Sequence, residues 1–397
     1  MKPPELHDGD PKRHATWLEL FFDLVFVVAI TEVAHLLHKP LDDTTFVLYL
    51  LLYVPIYWAW VGHTVYANRF DTDDLFFRLA TFGMMVAALC MAVPISTITE
   101  GGTEVYAAGY LAARLLLIAL YARAWWHLPE ARPMTSWYLL GFGAAASCWI
   151  ASLFVPPPAR YLLWVAGLTI DFVTPWIKRR MLSQYPLHQE HFPERMGLFT
   201  IIVLGESIIA TEAGLSSVKP EGPWITTAIM GFMVMASIWW LYFTFVQHAK
   251  LDKALRNGLA YIYVHLPLTI GISMLAVAIG HLVKEAAKAH PHVDTLILLG
   301  VGSAMFLGAF FGIMWKLDHR HMRKNLVAAF IVAIVAVIAL SLIGAGLSPP
   351  WVVGLLLGVF LVLVVLDMQY GLPATEITDE PTTTHGEAGG EPGQPPS

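Results

Sequence analysis

The chain has 397 residues, of which 57% are hydrophobic, 12% aromatic and 14% charged, with a formal net charge of −6. A soluble protein of that length needs far more polar surface, so the composition excludes it and fits a chain whose solvent is lipid. Part of the acidity belongs to a tail carrying Glu376, Asp379, Glu380, Glu387 and Glu391, and no basic stripe marks a nucleic-acid partner.

The first apolar run follows Lys12 and Arg13 but carries Glu19 and Asp23 and lacks a small-residue cleavage site. It reads as a retained first helix, not a signal peptide. Twelve apolar spans follow one another, near residues 16–37, 44–66, 75–98, 104–126, 135–154, 159–177, 196–215, 223–246, 258–283, 294–315, 325–346 and 350–369. Each is long enough to cross hydrocarbon as a helix, whereas a barrel strand would alternate over about ten residues. The expected class is an all-α polytopic membrane protein of about twelve transmembrane helices.

Of the twenty-four lysines and arginines, Lys39, Arg160, Lys219, Lys284 and Lys288 fall in loops on one side and Arg114 lies within a span. The rest, including Lys178, Arg179, Arg180 and the clusters at 250–256 and 320–324, fall on the other side. The positive-inside rule makes that side cytoplasmic and puts both termini there, as in a multi-pass protein of a bacterial inner membrane.

Sliding the chain by 180 residues lays Thr31-Glu32 on Thr211-Glu212 and Trp60 on Trp240. Six spans apart, the two halves would share one orientation and form parallel repeats. The resulting division is an N-terminal segment 1–15, a first six-helix half 16–177, a connector 178–195 punctuated by Pro186 and Pro193, a second half 196–369, and a tail 370–397. The tail is rich in Thr, Gly, Glu and Pro and is expected to be disordered. Cys90 and Cys148 sit in apolar runs and support neither a disulfide framework nor a thiolate metal site.

The motifs Trp17-Leu18-Glu19-Leu20-Phe21-Phe22-Asp23-Leu24-Val25-Phe26 and Leu198-Phe199-Thr200-Ile201-Ile202-Val203-Leu204-Gly205-Glu206-Ser207 resemble those of the bacterial low-temperature requirement protein A family, as do Tyr57-Trp58-Ala59-Trp60 and Trp239-Trp240-Leu241-Tyr242-Phe243. The resemblance runs to about residue 370 and implies a multi-span membrane protein. The family name records a growth phenotype and leaves the substrate open. A weaker similarity links Phe21-Phe22-Asp23-Leu24 to twice-six-helix potassium channels with a Phe-Ser-Asp signature, but Phe22 replaces the serine.

Carboxylates inside apolar helices are costly unless they meet a partner, water or one another, so they are the first candidates for function. Glu19 and Asp23, four residues apart, share a helix face and are placed to hold a cation or a proton, or to pair with Arg13, Arg78 or Arg195. Glu32, His35 and Glu212 form a second candidate group near the other end, and Glu206 lies deepest in its span. Arg114 has no acid within reach on its own helix and is expected to pair across helices with Asp171 or Glu206. Asp367, His63, His265 and His281 read as interfacial or packing residues. Trp58, Trp60, Trp239 and Trp240 suit either a passage wall or aromatic packing.

His188-Gln189-Glu190-His191 and Asp318-His319-Arg320-His321 lack a metal-ligand spacing, so no metal is assigned. No cofactor fingerprint, nucleophile elbow or Walker loop appears. The preferred expectation is a transporter or ion pathway in which Glu19, Asp23, Glu32, His35, Glu206 and Glu212 handle a small cation, proton or small-molecule substrate. The competing classes are a membrane enzyme acting on a lipid-soluble substrate and a stress-adaptation protein that neither transports nor catalyses.

Overall fold

A computed structural model describes residues 3–6, 14–39, 41–71, 73–216, 222–246, 258–318 and 324–370, with the backbone alone at 71, 206–216, 246, 316–318 and 370. The described chain is helical almost throughout. Its helices are α1 (Trp17–Ala34), α2 (Asp43–Arg69), α3 (Leu75–Ala92), α4 (Thr103–His127), α5 (Arg132–Ser152), α6 (Ala159–Ile177), the short α7 (Arg179–Leu182), α8 (His191–Ser216), α9 (Gly222–Val246), α10 (Leu259–Lys284), α11 (Val293–Asp318), α12 (Lys324–Ile343) and α13 (Pro349–Tyr370). Among the described residues the only strands are β1 (Glu5–Leu6) and β2 (Phe70–Asp71), an antiparallel pair that ties the N-terminal segment to the end of α2.

Eight stretches among the described residues are long and apolar enough to cross a membrane, which makes this a multi-pass membrane protein. One of them, Leu75–His127, contains both α3 and α4, and α5, α6 and α8 are not among the eight. The expected twelve crossings therefore stand here as eight qualifying stretches. The helix that carries the seventh expected span, α8, begins at His191, inside the expected connector 178–195.

Local chemistry sets the helix starts. Thr16 caps α1 through a reciprocal box: its hydroxyl accepts from the Glu19 N–H while the Glu19 carboxylate accepts from the Thr16 N–H. Asp42 and Asp74 cap α2 and α3, accepting from the N–H of Thr45 and Phe77 at 2.6 and 3.0 Å. Large apolar side chains such as Leu79, Val86, Val332, Val335 and Leu342 stand exposed, as lipid-facing positions do.

The most enclosed helix is α10, which packs on α8, α9, α11 and α13 and also reaches α1 and α2. It crosses α11 at two glycines: a Cβ on Gly271 would lie 2.6 Å from the Phe306 N and 2.7 Å from the Gly302 O, and one on Gly302 would lie 2.9 Å from the Gly271 O. Small residues let two backbones approach where lipid supplies no hydrophobic drive between helices. On its other side α10 meets α2 and α6, where Tyr57 donates to the Ile262 carbonyl at 2.8 Å and Tyr263 donates to the Phe172 carbonyl.

Candidate functional site

The deepest concentration of charge lies where α1 packs on α8. On α1, Glu19 and Asp23 are one turn apart and face the α8 residues His191 and Arg195, also one turn apart. Arg195 bridges the two acids: Nη1 lies 2.8 Å from Glu19 Oε1, and Nη2 and Nε donate to the Asp23 oxygens at 2.5 and 3.1 Å. Asp23 also accepts from Trp60 Nε1 at 2.7 Å, and the Trp60 indole stacks on Phe199 of α8 at 4.0 Å. All four charged or polar residues are buried; Asp23 and Arg195 are 0% exposed.

The protonation of His191 follows from its neighbours. The His188 N–H donates to Asn68 Oδ1 at 2.7 Å, which turns the Asn68 amide so that Nδ2 faces His191 Nδ1 at 2.9 Å. That ring nitrogen accepts, so the imidazole is neutral and carries its hydrogen on Nε2, 3.4 Å from Glu19 Oε2. Two carboxylates against one guanidinium then leave one net negative charge. It sits within the first two turns of α1 and α8, whose N-terminal ends each present roughly half a positive charge. His188, the other imidazole of the candidate metal motif, accepts through Nδ1 from the N–H groups of Glu190 and His191.

A second buried charge set joins α4 to α6. Arg114 Nη2 lies 3.1 Å from Asp171 Oδ2, and Tyr110 is placed between them, accepting from Arg114 Nε and Nη2 and donating to Asp171 at 2.7 Å. The guanidinium rests against the rings of Tyr110 and Phe142, 5.0 and 5.2 Å from their centroids. Arg114 is 1% exposed and Asp171 0%.

The remaining predicted residues are placed apart from these sets. Glu32 pairs with His35 at 3.4 Å, but both side chains are about half exposed, one turn from the end of α1 and away from Asp23. Arg78 forms an exposed fork with Asp73 and does not reach Glu19 or Asp23. That pairing holds the Asp73 carboxyl below its ordinary value, through the Arg78 hydrogen bonds. Glu206 and Glu212 lie on the α8 backbone with side chains outside the described ones, and Arg13 and 319–321 lie outside the described residues.

Sequence reasoning missed the role of His191, which it weighed only as a metal ligand. The available signal was its spacing of four from Arg195, which matches that of Glu19 and Asp23. Trp60 is a hydrogen-bond donor to Asp23 and packs between α2 and α8. His63 is a packing residue: Thr81 donates its hydroxyl to the Phe77 carbonyl, so His63 Nε2 donates to Thr81 at 2.9 Å while its ring stacks on Phe22.

A relative described as an uncharacterized protein of Rhizobium meliloti (strain 1021) is 28% identical over 325 residues, 76% of each chain. The bacterial low temperature requirement A protein (LtrA) family matches residues 14–366, a range that holds both α1 and α8 with the Glu19–Arg195–Asp23 contact between them. A match over nearly the whole chain, on an all-helical multi-pass fold, makes this protein a member of the LtrA family.

Proposed function

We propose that the protein is a transporter or ion pathway of two parallel six-helix halves, with α8 opening the second half. In this reading α5, α6 and α8 complete twelve crossings, both termini are cytoplasmic, and the membrane is the bacterial inner membrane. The recurring order of packing supports the repeat. In the first half α1 packs on α2 and α3, α3 on α4, α4 on α5 and α5 on α6; in the second α8 packs on α9 and α10, α10 on α11, α11 on α12 and α12 on α13.

The observation that carries the functional reading is the clasp: a buried guanidinium of the second half held by two carboxylates of the first, Arg195 between Glu19 and Asp23. Such a tie is strong while both partners are charged and collapses when one is neutralised, because an uncompensated buried charge costs about 3–5 kcal/mol. One proton at Glu19 or Asp23 takes up the excess negative charge and leaves the other acid paired with Arg195; a second proton or a small cation at that remaining acid leaves the guanidinium uncompensated and releases the halves at one end of their seam. A tie within one half has no such consequence; a tie between halves is a gate.

Reconstitution in liposomes tests this. Wild-type protein is expected to carry protons or a small cation down an imposed gradient, with a rate that depends on pH. Glu19→Gln and Asp23→Asn are expected to remove that pH dependence and change the rate by about tenfold or more, equivalent to about 1.4 kcal/mol on a barrier. A folded wild type that passes neither protons nor any of a panel of cations, anions and small solutes ends the transport reading.

A further inference from the structure

A cavity of ≈ 30 Å³ lies between α2, α4, α5, α6 and α10, and its walls include two buried arginines, Arg69 and Arg114. The rest of the wall is mostly apolar and aromatic, with Trp58 and Val65 of α2 among the lining residues. This site is separate from the clasp, and the inference does not rest on transport.

The Arg114 guanidinium is only partly satisfied by protein, and Arg69 is held by neutral partners alone. Arg114 commits Nε and Nη2 to Tyr110 and Asp171, but its Nη1 has no hydrogen-bond partner although the side chain is fully buried. That nitrogen lies against Gly62, another lining residue, 3.3 Å from where a Cβ would stand. Arg69, 2% exposed, donates to the Tyr138 hydroxyl at 3.0 Å and to the Tyr185 carbonyl at 3.3 Å, and forms no ion pair with a carboxylate among the described residues. The two cations rest on Tyr138 and Phe142, successive rings on one face of α5. Asp171 neutralises one of them, so one positive charge remains beside a low-dielectric cavity. An isolated buried cation is costly, and the cheapest compensation is an anion in contact with it.

We propose that Arg69 and Arg114 bind a small monovalent anion of about halide size in this cavity, with Arg114 Nη1 as a direct donor. The volume is about that of one such ion or one to two waters. The apolar wall favours a weakly hydrated anion over a strongly hydrated one.

The full chain in detergent is heated in sodium chloride, bromide or formate and, at the same ionic strength, in sodium gluconate. The unfolding midpoint is expected to rise saturably in the three small anions and not in gluconate. Crystals grown in bromide are expected to show an anomalous peak within hydrogen-bond distance of Arg114 Nη1. Arg69→Gln is expected to raise the bromide concentration for half-saturation about tenfold or more. Val65→Phe, which leaves both arginines in place and fills the space, is expected to abolish the saturable rise, so the test survives if either variant fails to fold. A midpoint that follows ionic strength alike in all four salts, or a bromide map with no peak at Arg114, overturns the proposal.

Discussion

Arg195 is the residue on which the α1–α8 contact turns. Its three nitrogens reach two acids, and neither acid meets any other cation among the described residues. Arg195→Ala therefore leaves buried carboxylates uncompensated and is expected to cost about 3–5 kcal/mol, while Arg78→Ala, which breaks an exposed fork, is expected to cost about 0–1 kcal/mol. Unfolding in detergent checks both, and equal midpoints for Arg195→Ala and wild type would remove the clasp as an element of stability. At this scale the sequence already contained much of the answer. Glu19 and Asp23 stand out because carboxylates in an apolar run need a reason, and the Arg114 requirement for a cross-helix partner follows from charge alone. The choice of Arg195 over Arg78, and the place of His191 beside Glu19, depended on which side chains converge in space.

Two elements show how local rules and packing combine. The α10–α11 crossing depends on Gly271 and Gly302, where a methyl group would meet backbone atoms that cannot move aside. Gly302→Val is expected to destabilise by about 1–3 kcal/mol or more through overpacking, whereas Gly308→Ala on the same helix, with open space around its Cβ position, is expected to be close to neutral. Comparing the two thermal midpoints isolates the crossing from the loss of a glycine. At the start of α3, Asp74 caps the helix and pairs with Arg123 at 2.7 Å. Burial pushes its carboxyl up, but the Arg123 and Phe77 hydrogen bonds outweigh burial and leave it below the ordinary value. A lowered folded value means that the stabilisation is present above the unfolded carboxylate value of about 3.9 and is lost as pH falls through the folded one. Asp74→Asn keeps the cap and removes the charge, so it is expected to flatten the acid limb of the stability profile. An unchanged limb would show that the pair contributes nothing there.

For the whole molecule, composition and run length were enough to read a multi-pass helical bundle, since a bilayer admits few other solutions for twelve apolar runs. The helical start of α8 at His191 was not legible because its first turn is polar: His191, Glu194 and Arg195 read as loop by hydropathy, yet His191 and Arg195 are buried against α1 and so continue the helix.

What the sequence determined by itself is the solvent, the helical class and the list of costly charges, because each follows from the free energy of moving a side chain or a peptide group out of water. What only the tertiary structure decided is how those charges are compensated: Glu19 and Asp23 by one shared arginine, Arg114 by Asp171, and Arg69 by no carboxylate among the described residues. Pairing depends on distances of a few ångströms between helices far apart in the chain, and no local pattern specifies them.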